Sequence, residues 1–266
     1  MLTRVLMCPP TYFGVEYSIN PWMNIDNRVD KAKAQSQWEH VYELLTSLGV
    51  KIELIDPVPW LPDMTFAGDC GLIGSNKVLA SNFRHPEREK ESDYFNRWLE
   101  EHGYQVFRLP EGLYFEGLGD VSLFENTILF APSLRSSPQA LTHIRRVFPE
   151  LNIIGSLQLK VETFYHSTLA FALVGKDTLM YYREAFTDES VDFIESTFTE
   201  RVAISERDAV EYFACNNIPV GNKLLMYDCS AELEQKLSDW GYEVIKCDMS
   251  EFLKSGASVR CLVTNL

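Results

Sequence analysis

Apolar positions between residues 30 and 48 fall at helical spacing: Ala34, Trp38, Val41, Leu44, Leu45 and Leu48. This predicts one amphipathic helix, stopped by Gly49. The period then changes, and residues 50–55 alternate like a strand. The same succession recurs down the chain. Residues 70–73 and 77–80 read as paired strands, 89–102 as a helix stopped by Gly103, and 104–109 as a strand. Residues 120–124 and 127–130 are again strands, 138–147 a helix and 151–154 a strand. Strands at 168–174 and 178–182 precede a helix at 190–198 and a strand at 201–204. A short helix at 206–214 leads to strand 223–227, helix 231–240, strand 242–247 and a terminal strand, residues 257–266, that carries Cys261. At the other end, residues 3–8 read as a short buried strand ended by Pro9 and Pro10, and residues 20–24 (NPWMN) as a loop.

Main helices start at intervals of roughly 40 to 60 residues, the scale on which repeat architectures are built. Five strand-strand-helix-strand units fit the 266 residues, and so does an ordinary α/β sandwich with a mixed sheet. No Pro/Gly/Ser-rich linker divides the chain, so residues 1–266 are expected to form one domain.

Composition narrows the chemistry. With 46% apolar and 12% aromatic residues the chain can fill a core. No apolar run reaches the roughly 18 residues of a membrane span. Two prolines interrupt the N-terminus before a signal core could form, so a soluble, cytoplasmic protein is expected. Thirty-eight acidic against 24 basic side chains give a formal charge of −14, which argues against a nucleic-acid partner. Six scattered cysteines without CxxC pairs indicate neither a zinc site nor a disulfide framework.

Four stretches place reactive side chains at strand ends or loops. Cys261 follows the small-residue segment Ser255-Gly256-Ala257, a good mounting for a nucleophile and equally a place for an inert buried thiol. LPDMTFAGD (residues 61–69) carries Asp63 and Asp69 on either side of Phe66, and reads also as a solvated loop. FEGLGD (115–120) lets the backbone turn tightly around Glu116 and Asp120, or is a plain turn. FYHSTLAFAL (164–173) holds His166 at the entry to an apolar strand, where most histidines are structural.

In this order and spacing, PDxxFxxD, EGxGD, a YH strand and a cysteine near the C-terminus resemble the guanidino-group-modifying enzymes of the pentein superfamily: arginine deiminases, arginine dihydrolases, dimethylarginine dimethylaminohydrolases and amidinotransferases. LMCPPTYFGVEYSINPWMN, FRHPEREKESDYFNRW and AVEYFACN look most like the arginine dihydrolase domain of cyanobacterial bifunctional enzymes. The resemblance implies a pentein α/β propeller, five ββαβ modules around a pseudo-fivefold axis with the site at its centre. It also implies Cys261 as nucleophile, His166 as acid and base, Glu116 as its partner, and Asp63 and Asp69 gripping a guanidinium beside an apolar wall of Phe66. Arg88 and Arg135 would meet the substrate's carboxylate, with Asn20 in the matching N-terminal loop. The expected partner is a small molecule, arginine or a related guanidine, attacked through a covalent thiouronium with no metal or organic cofactor. A homo-oligomer is left open.

Three positions depart from the dihydrolase pattern. Thr168 stands where an Asp usually follows the histidine by two, Asp69 replaces an Asn, and Ser255-Gly256-Ala257 is poorer in glycine. Asp69 and the missing acid resemble the methylarginine hydrolases and lean toward an N-substituted arginine. An amidinotransferase and a non-catalytic pentein binding protein are the alternatives.

Overall fold

The computed structural model describes residues 2–266, and these form five three-stranded sheets. In the first, β1 (Arg4–Met7) lies between β15 (Thr264–Asn265) and β2 (Lys51–Leu54). The others follow chain order: β3 (Gly71–Gly74), β4 (Lys77–Ala80) and β5 (Gln105–Phe107); β6 (Val121–Phe124), β7 (Thr127–Phe130) and β8 (Asn152–Ser156); β9 (Phe171–Leu173), β10 (Thr178–Tyr181) and β11 (Glu200–Ala203); β12 (Ile218–Val220), β13 (Lys223–Met226) and β14 (Glu243–Lys246). Each middle strand pairs antiparallel with one neighbour and parallel with the next. A parallel pair cannot be joined by a tight turn and needs a crossover helix. Those crossovers are α1 (Lys31–Ser47), α2 (Pro86–Glu89) with α3 (Glu91–Glu101), α4 (Ala140–Val147), α5 (Asp188–Thr197) and, after the linking helix α6 (Glu206–Val210), α7 (Ala231–Asp239). The result is the expected ring of five ββαβ modules about a pseudo-fivefold axis.

The helices form where the sequence pattern placed them, because each buries an apolar stripe; α4 buries Ala140, Ile144 and Val147 in a cluster that joins Leu72 and Leu79 of the neighbouring sheet to Val121, Ile128 and Phe130 of its own. Helix α1 is capped by Asp30, which accepts from Lys33 N, and buries Ala34, Trp38, Val41 and Leu45 in the cluster that holds Val5 and Met7. None of the helices of the described residues is long and apolar enough to cross a membrane.

The first module is completed only by the last residues of the chain. Strand β15 pairs with β1 through Val5 with Asn265 and Leu6 with Thr264. The predicted terminal strand is corrected here: Cys261 lies on a 3-10 turn, Val259–Leu262, and only Thr264–Asn265 is extended. The predicted strand at 168–174 is likewise shortened to β9, its first part being the 3-10 turn Ser167–Leu169. The predicted helix at 89–102 is two helices, and that at 206–214 ends at Val210. Strand β12, which carries Pro219, lies outside the elements predicted from the sequence. It is an edge strand, where the missing N–H is tolerated.

One local feature repeats. Before the first strand of four sheets the chain makes a 3-10 turn, Ala67–Cys70, Gly117–Gly119, Ser167–Leu169 or Val259–Leu262. Before β12 a turn is closed by Asn216 N donating to Phe213 O at 2.8 Å. Contact between these turns requires bare backbone. A Cβ on Gly68 would lie 3.0 Å from the carbonyl oxygens of Arg260 and Val263 and 3.1 Å from that of Cys261. We expect Gly68→Ala to cost about 1–3 kcal/mol by forcing the terminal turn away. The denaturation midpoint measures this, and an unchanged midpoint would show that the turn yields freely.

Candidate active site

The inner turns carry the chemistry. Asp69 lies in Ala67–Cys70, Glu116 immediately precedes Gly117–Gly119, His166 precedes Ser167–Leu169, and Cys261 lies in Val259–Leu262. Asp63 sits one turn earlier, in Pro62–Thr65.

Glu116 has no solvent exposure. Its Oε2 accepts from His166 Nε2 at 2.8 Å and from Arg135 Nη1 at 2.9 Å, and its Oε1 accepts from Arg84 N at 3.0 Å. Burial pushes this carboxyl up, but the Arg135 charge and the His166 hydrogen bond and charge bring it down to about 2. For His166 burial favours the neutral ring, yet the Asp69 charge and the Glu116 bond and charge outweigh it, raising its pKa. The other ring nitrogen, Nδ1, is 3.8 Å from Asp69 Oδ1, beyond hydrogen-bonding range. A proton there is therefore free to be given. The imidazole packs on bare backbone: a Cβ on Gly119 would fall 2.8 Å from three ring atoms.

Cys261 is 7% exposed, and burial, then the Asp69 charge, push its thiol up to about 12. Asn216, which sequence reasoning did not single out as a site residue, opposes this. Its Nδ2 donates to Sγ at 3.2 Å while its Oδ1 accepts from Arg260 N at 3.0 Å, so one amide fixes both the sulfur and its turn. The available signal was a polar pair, Asn216-Asn217, set in the apolar run FACNNIPV.

Both aspartates are buried. Asp63 Oδ2 accepts from Tyr17 Oη at 2.8 Å, whereas its Oδ1 is buried without a partner among the described residues. Burial, only partly offset by Arg88 and Tyr17, raises its pKa. Phe66 stands edge-on to Phe13, ring centroids 5.5 Å apart, and forms an apolar wall with Phe252. Thr168 Oγ1 donates to Leu118 O and Gly119 O, so its hydroxyl is spent on backbone.

The two arginines expected to meet a substrate carboxylate are held inside the protein's own charge network. Arg88 donates to Asp69 Oδ2 at 2.7 Å and forks onto Glu91, and Arg135 bonds Glu116 and Ile19 O. Asn20 pins the loop between β1 and α1: its Nδ2 donates to Ser255 O, and its Oδ1 accepts from Trp22 N and Met23 N. With Tyr17 on Asp63 and Phe13 on Phe66, that loop closes the site. Among the described residues no group of three or more His, Cys, Asp or Glu is placed to hold a metal ion.

A recessed thiol, an imidazole on a buried carboxylate and an acidic wall suit attack on a cationic carbon with proton donation to a leaving group. The family model for N,N dimethylarginine dimethylhydrolase, eukaryotic, matches residues 10–266. The bifunctional arginine dihydrolase/ornithine cyclodeaminase AgrE of Nostoc sp. is 37% identical over 265 residues, covering 97% of this chain but 37% of its own length. The N(G),N(G)-dimethylarginine dimethylaminohydrolase of Mycobacterium tuberculosis is 32% identical over 258 residues, with 97% and 84% covered. A substrate-bound crystal structure of the N-terminal domain of ArgZ, a cyanobacterial arginine dihydrolase, matches with a TM-score of 0.92 at 33% identity, covering 98% of this chain and 97% of that one.

Two outcomes are expected from this geometry. A raised imidazole pKa contributes stability that is complete below the ordinary value of 6.5 and lost as pH rises through the folded value; Glu116's depressed pKa contributes above 4.5 and is lost as pH falls through about 2. Glu116→Gln should therefore destabilise most between pH 4.5 and 6.5, and NMR titration should show the His166 pKa fall. An unmoved imidazole pKa would remove Glu116 from this role. Asn216→Ala should slow alkylation of Cys261 by iodoacetamide roughly 3- to 10-fold at neutral pH, the value of a hydrogen bond of about 1 kcal/mol. An equal rate in both proteins would leave Asn216 a structural part only.

Proposed function

Since the chain belongs to the N,N dimethylarginine dimethylhydrolase family, we propose that it hydrolyses the guanidino group of arginine or an N-substituted arginine through a covalent intermediate on Cys261. The observation that carries this reading is the partnerless Oδ1 of Asp63, a buried acceptor beside a second buried carboxylate, Asp69. A buried acceptor without a donor is costly, and a planar cation with a fork of N–H groups satisfies it.

The same cation activates the sulfur. Cys261 is a neutral thiol in the free site because burial and Asp69 oppose its charge, and a guanidinium against Asp69 reverses the second of these. The thiol proton is released to solvent as the cation binds, and the thiolate sulfur then bonds to the central carbon, giving a tetrahedral adduct. As the carbon–nitrogen bond breaks, His166 gives its Nδ1 proton to the departing amine, leaving a thiouronium on Cys261. Water attacks that carbon and passes a proton to Nδ1. The carbon–sulfur bond breaks and the adduct's remaining hydroxyl proton passes to sulfur, releasing a ureido product and the thiol. Glu116 holds Nε2 throughout, so only Nδ1 takes part.

Thr168 favours the substituted substrate. It supplies no charge, and its hydroxyl is committed to Leu118 and Gly119, so an N-methyl group displaces no charged contact there. The structure of the ArgZ N-terminal domain covalently bound to a reaction intermediate supports the covalent route by relationship.

Incubation without an amine acceptor, acid quench and mass spectrometry should find an amidino adduct on Cys261 and free amine or ammonia, both lost in Cys261→Ser. Turnover that demands an acceptor would make the protein an amidinotransferase. Methylarginines should exceed arginine in kcat/KM, and Thr168→Asp should move the preference toward arginine by roughly 10- to 100-fold, one charge-assisted hydrogen bond of about 1.5–3 kcal/mol. An unmoved ratio would separate position 168 from selection.

A further inference from the structure

At the end of the axis where the hairpin turns gather lies a cavity of about 510 Å³. Its wall includes Ser75 and Glu125 from the turns of the second and third sheets, Gly221 from the fifth, Arg4 at the start of β1, and Arg260 with Asn265 from the terminal segment. The first module has no hairpin turn, because its antiparallel pair joins the two ends of the chain. Arg260 looks into the space this leaves.

Arg260 is 9% exposed, and among the described residues its guanidinium has one hydrogen bond, Nη1 to Asn265 Oδ1 at 3.3 Å, and no carboxylate within ion-pair distance. The other two buried arginines differ. Arg88 is gripped by Asp69 and Glu91, and Arg135 by Glu116. A guanidinium carries five N–H donors and is expensive to bury without an anion. Burial depresses Arg260 to about 10, the mark of a charge left uncompensated. Arg4, the other cation of this wall, is already paired with Glu53 at 2.8 Å. The volume falls within the range of small-molecule sites, about 300–1,000 Å³.

We propose that this axial cavity binds a small carboxylate-bearing molecule, held in the fork of Arg260, and that its occupancy lowers the reactivity of Cys261. The connection is short. Arg260 and Cys261 are neighbours on one 3-10 turn, and Asn216 bonds the backbone of the first and the sulfur of the second. A bound anion screens the positive charge beside the thiolate and fixes the turn that carries it.

The binding half stands independently of the reaction assigned above, and the test keeps them apart. Sodium succinate is titrated into the full chain at constant ionic strength, with calorimetry, amide NMR shifts, and the rate of Cys261 alkylation by iodoacetamide as readouts. The expected result is saturable binding with shifts at Ser75, Gly221 and Asn265, several-fold slower alkylation, and binding weakened about tenfold or more in Arg260→Gln but kept in Cys261→Ser. Absence of saturable binding, shifts centred on Asp63 and His166, affinity unchanged in Arg260→Gln, or an alkylation rate indifferent to succinate would each overturn the proposal. Should Arg260→Gln fail to fold, the wild-type shift map and Arg260→Lys, which keeps the charge but loses the fork, decide it.

Discussion

A carboxylate with no access to water can remain charged only if the protein surrounds it with donors and cations, and Glu116 imposes that demand on the whole inner end of the ring. It takes a guanidinium from Arg135, a backbone N–H from Arg84 and the imidazole of His166. Removing any of the three leaves a buried charge short of partners, a far larger penalty than the loss of an exposed ion pair. The partners come from different parts of the chain, so satisfying one carboxylate fixes the mutual position of neighbouring modules. Arg135 then reaches further, donating to Ile19 O and lying over the Tyr165 ring, and so ties the covering loop to the same charge.

The arrangement follows from the repeat. In each module the chain reaches the axis in a tight turn before it enters the first strand, and residues on such a turn face the centre without being part of a sheet. Five turns around one axis therefore offer five chemically independent positions: carboxylates from two, an imidazole, an amide and a thiol from the others. The turns can approach only where backbone meets backbone, at Gly68 against the cysteine turn and at Gly119 beneath the imidazole. The cysteine turn is held between the first module, which β15 completes by pairing with β1, and the fifth, whose Asn216 bonds both Arg260 N and the Cys261 sulfur.

Much of this was legible in the residues. Helical periodicity and alternating hairpins located nearly every element, because every helix buries one apolar stripe, a local signal. What periodicity could not provide was the backbone of the inner turns. Ser167–Leu169 and Val259–Leu262 are apolar segments that read as strand, but hydrogen bonds at the axis, such as Thr168 to the carbonyls of Leu118 and Gly119, hold them coiled. Cys261, His166, Glu116, Asp63 and Asp69 were named because motif order singled them out. The polar pair Asn216-Asn217 marks a position but not its partner, and the end cavity at Arg260 is assembled from several modules, so both depend on contacts between distant parts of the chain that no local pattern encodes.

The charge balance of the site supports the proposed cationic ligand. Asp63, Asp69, Glu91 and Glu116 are buried there together, opposed by Arg88, Arg135 and a histidine that is positive only when protonated. The shortfall is visible in the carboxylates themselves: burial raises Asp63 and lifts Glu91 to about 7 in spite of Arg88, while Glu116, with two cations on one oxygen, falls to about 2. A neutral ligand would leave Asp63 Oδ1 no better compensated. An anion would add to the imbalance. On the proposed reading a guanidinium relieves it and frees the thiol from the Asp69 charge that keeps it protonated, so the interaction proposed to select the ligand is also the one proposed to arm the nucleophile.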